Sequence, residues 1–327
     1  MLNFCTLFDS HYLTRGLAMY RSLVTTGDVF HLYIFCFDDE TAEILKQMQL
    51  PYVTLVTLAE FESDELLRVK PSRSRGEYCW TCTSSVIRYS LDMFSLQEVT
   101  YIDADLYFYQ KPSSLLIDFH ASAYSVLLTE HFFSPGFERD LKYGRFCVQF
   151  MTFRNDPRGR CVLDWWISRC LEWCYARLEN GRFGDQKYLD DWPDRFDGIY
   201  VSEHRGAGVA NWNVQQYETG GTEQLPTVDG IPIVFFHFHG IRIYRSGICD
   251  IGYKPLSAIV VDILYRPYFR AIQQAEDDIA RSVKYFPQNR IKDRYLWEWL
   301  ISFMLRRPRG TYNVYKFLGA LTQRELT

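Results

Sequence analysis

The stretch Val99-Thr-Tyr-Ile-Asp-Ala-Asp-Leu-Tyr-Phe-Tyr109 decides how this chain is read. Val99–Asp103 has the composition of a buried strand, and it closes on aspartates at i and i+2 before resuming as an aromatic run. Residues two apart in extended backbone point to one side, so Asp103 and Asp105 set two carboxylates together. Such a pair repels itself and suits a hard divalent cation. The other reading is a turn with two solvated aspartates, which the tight apolar flanks disfavour.

Working outward, Asn3–Phe8, Val29–Phe37 and Val53–Leu58 read as earlier strands. Val29–Phe37 is continuously apolar, as in a strand covered on both faces of a parallel sheet. Helical spacing predicts helices over Arg15–Leu23, Thr41–Met48, Leu58–Leu67 and Trp80–Phe94, with Lys70–Glu77 as a polar loop. This βαβαβ rhythm predicts an α/β fold with right-handed crossovers. In such folds ligands bind beyond the carboxyl ends of the strands, where Asp103 and Asp105 fall. Further on, Tyr124–Thr129, Phe146–Phe153 and Ile231–Phe238 read as strands and Arg160–Leu178 as a helix. After Pro255 the pattern is helical, over Ala258–Tyr265, Ala271–Tyr285 and Arg294–Leu305.

Three more segments carry polar chemistry. In Phe235-Phe-His-Phe-His-Gly240, His237 and His239 share one strand face and Gly240 permits close backbone approach. Imidazole is a good ligand for Mn or Zn, although strand histidines can equally be satisfied by backbone. Phe183-Gly-Asp-Gln186 suggests a helix start with Asp185 as N-cap. His204-Arg-Gly-Ala-Gly-Val-Ala-Asn-Trp-Asn213 is either a tight turn or a loop able to hold a polyhydroxylated ligand.

Composition bounds the rest. The 327 residues suffice for two domains or one large one. A net charge of −4 lacks the basic footprint of a nucleic-acid binder. The charge is uneven: residues 281–327 carry 10 basic and 3 acidic side chains. A basic segment with Trp297, Trp299, Phe303 and Met304 can lie on an anionic membrane surface, or pack on the body with a solvated face. No apolar run is long enough to span a bilayer, and the N-terminus does not read as a signal peptide. The nine cysteines are therefore expected as reduced thiols in a cytoplasmic protein.

Taken in order, the D-x-D after the fourth strand, the later Asp185-Gln186 and the H-F-x-G of His237–Gly240 resemble a family of enzymes. The chain is similar to GT-A glycosyltransferases, in the manner of family 8 and of bacterial nucleotide-diphospho-sugar transferases of lipopolysaccharide and capsule synthesis. Thr6–Asp9 with Tyr12, Trp80–Thr83, Phe153–Asp156, Trp165-Trp166, Glu172–Tyr175, Gly184–Trp192 and Gly206–Asn213 carry the same resemblance. It implies a GT-A, Rossmann-like α/β fold with a mostly parallel central sheet and a helical C-terminal appendage. The catalytic domain would span 1–250, with a nucleotide-binding half 1–130 and a sugar and acceptor half 131–250. Residues 251–327 would be helical, and basic from about 281.

The resemblance further implies that Asp103, Asp105 and His237 hold Mn²⁺ or Mg²⁺. Thr6, Leu7, Phe8, Asp9, Tyr12, Arg88, Ile102, Ala104 and Gly240 would bind the nucleotide. Asp185 and Gln186 would be catalytic. Gln149, His204, Asn211, Trp212 and His239 would line the sugar and acceptor side. The implied activity is transfer from a nucleotide-diphosphate sugar, a UDP-sugar, to a glycan or lipid-linked glycan with retention, on the inner face of the membrane. A nucleotide-sugar hydrolase, a nucleotidyltransferase and an inactive sugar-nucleotide binder share that donor cleft. Two departures stand out. Ile243 falls near the place of the family's diphosphate lysine, leaving Arg242 or Arg245 to substitute. Cys147 and Gln149 replace an Asn-x-Gly pattern.

Overall fold

Four parallel strands, β1 (Leu2–Phe8), β2 (Phe30–Cys36), β3 (Val53–Thr57) and β4 (Glu98–Ile102), form one side of the central sheet. In this computed structural model, residues 1–283 and 290–317 are described. The chain continues through β5 (Leu106–Phe108), β6 (Val126–Glu130), β7 (Phe146–Arg154) and β8 (Ile199–Ser202). The seven-stranded sheet runs β3-β2-β1-β4-β7-β6-β8, with β7 antiparallel to both neighbours and β8 parallel to β6. The sheet is thus mostly parallel, as the βαβ rhythm requires.

Strand alternation sorts the core into two layers. Phe4, Leu32 and Ile34 face Leu17 and Leu23 of the helix Leu13–Thr25 and Ile279 of the helix Arg266–Ser282. Cys5, Leu7 and Phe35 face Val86 and Ile87 of the helix Arg75–Met93 and Trp166 and Cys170 of the helix Pro157–Glu172.

Several boundaries differ from the sequence reading, each for a local reason. The expected loop Lys70–Glu77 already contains the helix start, because Ser74 and Glu77 form a reciprocal capping box. The stretch expected as one helix over Leu58–Leu67 is two, Leu58–Phe61 and Asp64–Val69, since Ser63 caps a second start. The helix expected to reach Leu178 ends at Glu172, where Trp173 turns extended. Asp185 precedes a 3₁₀ segment, Gln186–Asp191, without capping it by its side chain. The strand expected over Ile231–Phe238 splits into Ile231–Pro232 and Phe235–His237.

That last piece positions the site. Phe235–His237 pairs antiparallel with β5 and parallel with Val209–Ala210, which sets His237 opposite Leu106 and Ala210. A third small sheet joins Arg242–Ile243, Ile248–Asp250 and Val314–Lys316. Against it packs the helix Leu296–Arg306. Its inner face holds Trp299, edge-on to Tyr244 at 5.1 Å, and buried Arg306, paired with Asp250 at 2.9 Å. Leu296, Trp297, Leu300, Ile301, Met304 and Leu305 form the opposite stripe at helical spacing, and all six are 45% exposed or more. No helix among the described residues is long and apolar enough to cross a membrane. Residues 284–289 and 318–327 of the basic segment, and the expected helix end at Tyr285, lie outside the described residues.

Candidate active site

β4 delivers Asp103 and β5 begins just past Asp105, so the D-x-D pair bridges the large sheet and the small one. The peptide N–H of Asp103 donates to Gln149 O of β7 at 3.0 Å, and Phe238 N donates to Asp105 O at 3.0 Å. These two ties bring the His237 imidazole onto the pair: its Nε2 lies 3.1 Å from Asp105 Oδ1 and 3.8 Å from Asp103 Oδ2. The other ring nitrogen, Nδ1, is 2.8 Å from Gln149 Oε1. An amide oxygen only accepts, so Nδ1 carries a proton and can donate there. Although burial works against it, Asp105 favours the charged ring, whose Nε2 donates to it. On giving up that proton the ring, still held through Nδ1 by Gln149, would turn the Nε2 lone pair to a cation, the arrangement by which proteins orient a metal-binding histidine.

The site gathers three carboxyl groups against one imidazole, His237. Asp105 and Asp185 are 6% and 5% exposed. Among the described residues no lysine or arginine forms an ion pair with Asp103, Asp105 or Asp185. Burial pushes the Asp103 carboxyl up and Asp105 adds to this, against the pull of His237. Burial and the Asp103 charge drive Asp185 up to about 8, with a hydrogen bond from Thr83 opposing. Asp105 is held low despite its burial, because His237 both attracts it and hydrogen-bonds to it. A third donor closes the group: ligand atoms of Asp105, His237 and His239 all lie within 4.8 Å of one another. Oxygen and imidazole donors converging on one point fit a divalent cation.

Around this centre stand His131, Cys147 and Trp212. Burial raises the Cys147 thiol, but His131 and His237 outweigh it and bring it down to about 6. Trp212 donates from Nε1 to His131 O at 2.9 Å and sets its ring edge-on to both His237 and His239, at 5.2 and 5.8 Å. Asn211 Nδ2 donates to His239 O at 3.1 Å. Asn211, Trp212 and His239 are therefore brought to the centre. His204 turns back on its own loop, where its Nδ1 accepts from Gly206 N at 3.1 Å. Gln186 Nε2 donates to Tyr143 O at 3.0 Å.

Two expected assignments are corrected. Gln149 is fully buried, and its amide engages His237 and Thr129, so it cannot face a sugar. Arg88 is bound by Asp92 and Asp164 on the face of its helix turned toward the helix Pro157–Glu172. Its guanidinium is thereby committed to an ion-pair network and is not brought to the centre. At the end of β1, Thr6, Leu7 and Phe8 are buried in the core, and only Tyr12 is well exposed. Asp9 Oδ1 accepts from His11 N at 2.9 Å, and its Oδ2 pairs with Arg75. Ile102 is fully buried and Ala104 nearly so, while Gly240 is open.

Sequence reasoning missed three residues. Tyr101 donates to Asp103 Oδ1 at 3.0 Å; its position two before Asp103, on the same strand face, was the available signal. Thr83 hydrogen-bonds Asp185, a helix-to-loop contact with no sequence signature. Arg15 donates to Ile241 O at 3.0 Å and stacks on Tyr12 at 4.4 Å. It lines a cavity of about 250 Å³ with Ser10, Tyr12, Ile241, Ile243 and Arg290. Arg242, one expected substitute for the missing lysine, instead donates to Tyr253 at 3.0 Å.

The fold and this cleft define the class: the chain has the GT-A fold of the glycosyltransferases. It superposes on the galactosyltransferase LgtC, solved with donor and acceptor sugar analogues, with a TM-score of 0.51 and 12% identity, covering 84% of this chain and 96% of that one. The bifunctional glycosyltransferase WbbM gives 0.50 and 14% identity, over 87% of this chain and 52% of that one. No family model matches the chain. In sequence it is 32% identical over 249 residues to the uncharacterized protein YfnF of Bacillus subtilis (strain 168), covering 73% of this chain and 82% of the relative. The chain belongs to the same family as YfnF. The uncharacterized protein YfnD of the same organism is 29% identical over 283 residues, covering 85% of this chain and 90% of its own length.

Proposed function

We propose that the chain is a cation-dependent glycosyltransferase that moves a sugar from a UDP-sugar to a hydroxyl of a glycan or lipid-linked glycan. The carrying observation is the half-buried Asp103 and buried Asp105 with His237 Nε2 3.1 Å from Asp105 and its Nδ1 held by Gln149, at the carboxyl edge of a GT-A sheet. Asp103, Asp105 and His237 would hold the Mn²⁺ or Mg²⁺, which when bound stabilises the charge on a departing diphosphate. Asp9 and Tyr12 would hold the nucleoside, and Arg15, stacked on Tyr12, lines the cavity beside it. We assign Arg15 the diphosphate contact that Ile243 cannot make.

Asp185, with its carboxyl raised to about 8, carries a proton at neutral pH before any cation binds. In that form it can donate to a sugar hydroxyl; as the cation neutralises Asp103, it can also ionise. Retention needs no dedicated base, since the leaving phosphate can take the acceptor proton, and we favour it on resemblance. The acceptor fits a cavity of about 530 Å³ whose walls include Phe133, Arg145, Glu203, Arg205 and Tyr217.

A thermal-shift panel of nucleoside diphosphates and UDP-sugars, each with and without Mn²⁺, tests this reading. Ligand binding to the native state raises the melting temperature by mass action. A Mn²⁺-dependent shift with one base, lost in Asp103→Ala/Asp105→Ala, supports the donor site. No shift with any nucleotide for the folded protein refutes it. UDP release that requires an added glycan acceptor separates transfer from hydrolysis.

We further propose peripheral membrane contact through 281–327, supported by the exposed stripe Leu296, Trp297, Leu300, Ile301, Met304 and Leu305. Lys292, Arg307 and Arg309, all exposed, flank it with charge complementary to anionic lipid. The expected result is co-sedimentation with phosphatidylserine vesicles at low salt, abolished in Leu300→Glu/Ile301→Glu. A stripe that instead mediates self-association would give a concentration-dependent dimer and no vesicle binding.

A further inference from the structure

We propose that His239 is itself a metal ligand, so that the cleft offers a divalent cation two imidazoles and not one. This rests on the reading of the cleft as a cation site and specifies its donor set. The tightest convergence of donor atoms is Asp105, His237 and His239, within 4.8 Å of one another. Donors that share one ion at about 2.0–2.2 Å stand at most about 4.4 Å apart, so a small side-chain movement completes the set. Asp103 is less free to move in, since Tyr101 already donates to its Oδ1 at 3.0 Å.

The fold explains why the second histidine faces inward. Between the two, Phe238 points the other way and stacks on Tyr268, with ring centroids 3.8 Å apart and planes within 2°. The strand ends at His237, and His239 lies in the turn that follows, which brings its imidazole back beside that of His237. The two imidazoles lie 5.6 Å apart at 82°. Asn211 holds the His239 carbonyl at 3.1 Å, which anchors the backbone, while the imidazole remains exposed to the cleft. The ring is therefore placed, and its nitrogens are accessible to an incoming ion.

The donor set has a consequence for the choice of metal. Magnesium takes oxygen ligands and keeps its waters. Imidazole suits the transition metals. Two imidazoles beside the carboxylates therefore select Mn²⁺ or a later divalent metal over Mg²⁺.

The test uses the full chain with Mn²⁺ as probe, titrated with and without UDP and with increasing Mg²⁺. Free Mn²⁺ is counted by EPR, and the histidine nitrogens on bound Mn²⁺ are counted by pulsed EPR. Two nitrogens are expected in the wild type and one in His239→Ala. The variant should bind Mn²⁺ at least about tenfold more weakly and discriminate less against Mg²⁺. One histidine nitrogen in the wild type, or unchanged affinity and nitrogen count in the variant, overturns the assignment while leaving the cation site standing. Absence of Mn²⁺ binding with and without UDP overturns both. If His239→Ala fails to fold, the wild-type nitrogen count decides alone.

Discussion

Two groups of carboxylates sit at the carboxyl edge of the same sheet, and they are handled in opposite ways. At the ends of β1 and β2, Asp9 and Asp38 both pair with Arg75. Asp38 also accepts from Ser10 N at 3.0 Å and Thr41 N at 2.9 Å. Although burial pushes the other way, these bonds hold the Asp38 carboxyl below the usual range. At the end of β4, Asp103 and Asp185 receive a phenol and a threonine in place of a guanidinium, and both are pushed up. In the first group both carboxylates are paired within the protein, and Asp38 serves structure as the N-cap of the helix Asp39–Met48. In the second, among the described residues, His237 is the one cationic partner for three carboxyl groups, two of which are pushed toward holding a proton. Carboxyl groups perturbed in this way cluster at functional sites.

The largest expected difference between the two lies in turnover. Asp105→Asn should lower kcat/KM for a UDP-sugar by at least about 10³-fold, as loss of a principal charge-stabilising group does. Asp38→Asn should leave it within a few-fold. Equal losses would mean that both groups serve the donor, and the contrast would fall.

Next comes the pH dependence of stability, where the two groups should slope in opposite directions. The folded pKa of Asp185 lies at about 8, well above the unfolded value of about 3.9. The folded state therefore holds an extra proton between those limits, and this group makes stability fall as pH rises through that window. The slope is bounded by about 1.4 kcal/mol per pH unit. Asp38, depressed in the folded state, contributes stability above its unfolded pKa and loses it as pH falls through the folded one. Urea midpoints from pH 4 to 8 should flatten in Asp185→Asn, and the acid limb below about pH 4 should flatten in Asp38→Asn.

A smaller effect is expected from Gly208, which has a φ of +73° and whose added Cβ would meet Gln149 Nε2 at 2.6 Å. Gly208→Ala should displace Gln149 from His237 and weaken Mn²⁺ binding by roughly 10- to 100-fold, while the Arg75 group is untouched. An unchanged Mn²⁺ affinity would show that Gln149 does not orient the imidazole. Smallest is Asp38→Ala, which removes an N-cap and should lower unfolding free energy by about 1 kcal/mol with no change in Mn²⁺ affinity.

Much of this contrast was visible in the sequence, because its polar residues stand out in apolar runs. The spacing of Asp103 with Asp105 and of His237 with His239 singled out both pairs, but the strands end at Ile102 and His237 and turns carry Asp105 and His239, so extended alternation is not what brings them together. The parallel start of the sheet followed from the alternation of apolar runs and helical patterns. What stayed hidden depends on partners distant in sequence. Gln149 was expected on the sugar because its neighbours resemble a sugar-binding stretch; its partner, His237, is 88 residues away. Arg88 was expected on the donor, but Asp164 lies on another helix and captures it. The capping box at Ser74 and Glu77 was a local signal present in the residues, and it moved a helix start five residues earlier than the expected Trp80.

The strand Phe235–His237, wedged between β5 and Val209–Ala210, also fixes when the cleft comes into being. During synthesis the parallel half of the sheet has all four of its strands once β4 emerges and can pair with β1. The cleft is completed later, since its histidines arrive after all eight strands of the body. A nascent chain thus carries Asp103 and Asp105 without the two histidines until the last third is made. A cation held as proposed would be captured late and would tie the early and late parts of the chain together, and a ribosome-stalled fragment ending before Phe235 should bind no Mn²⁺.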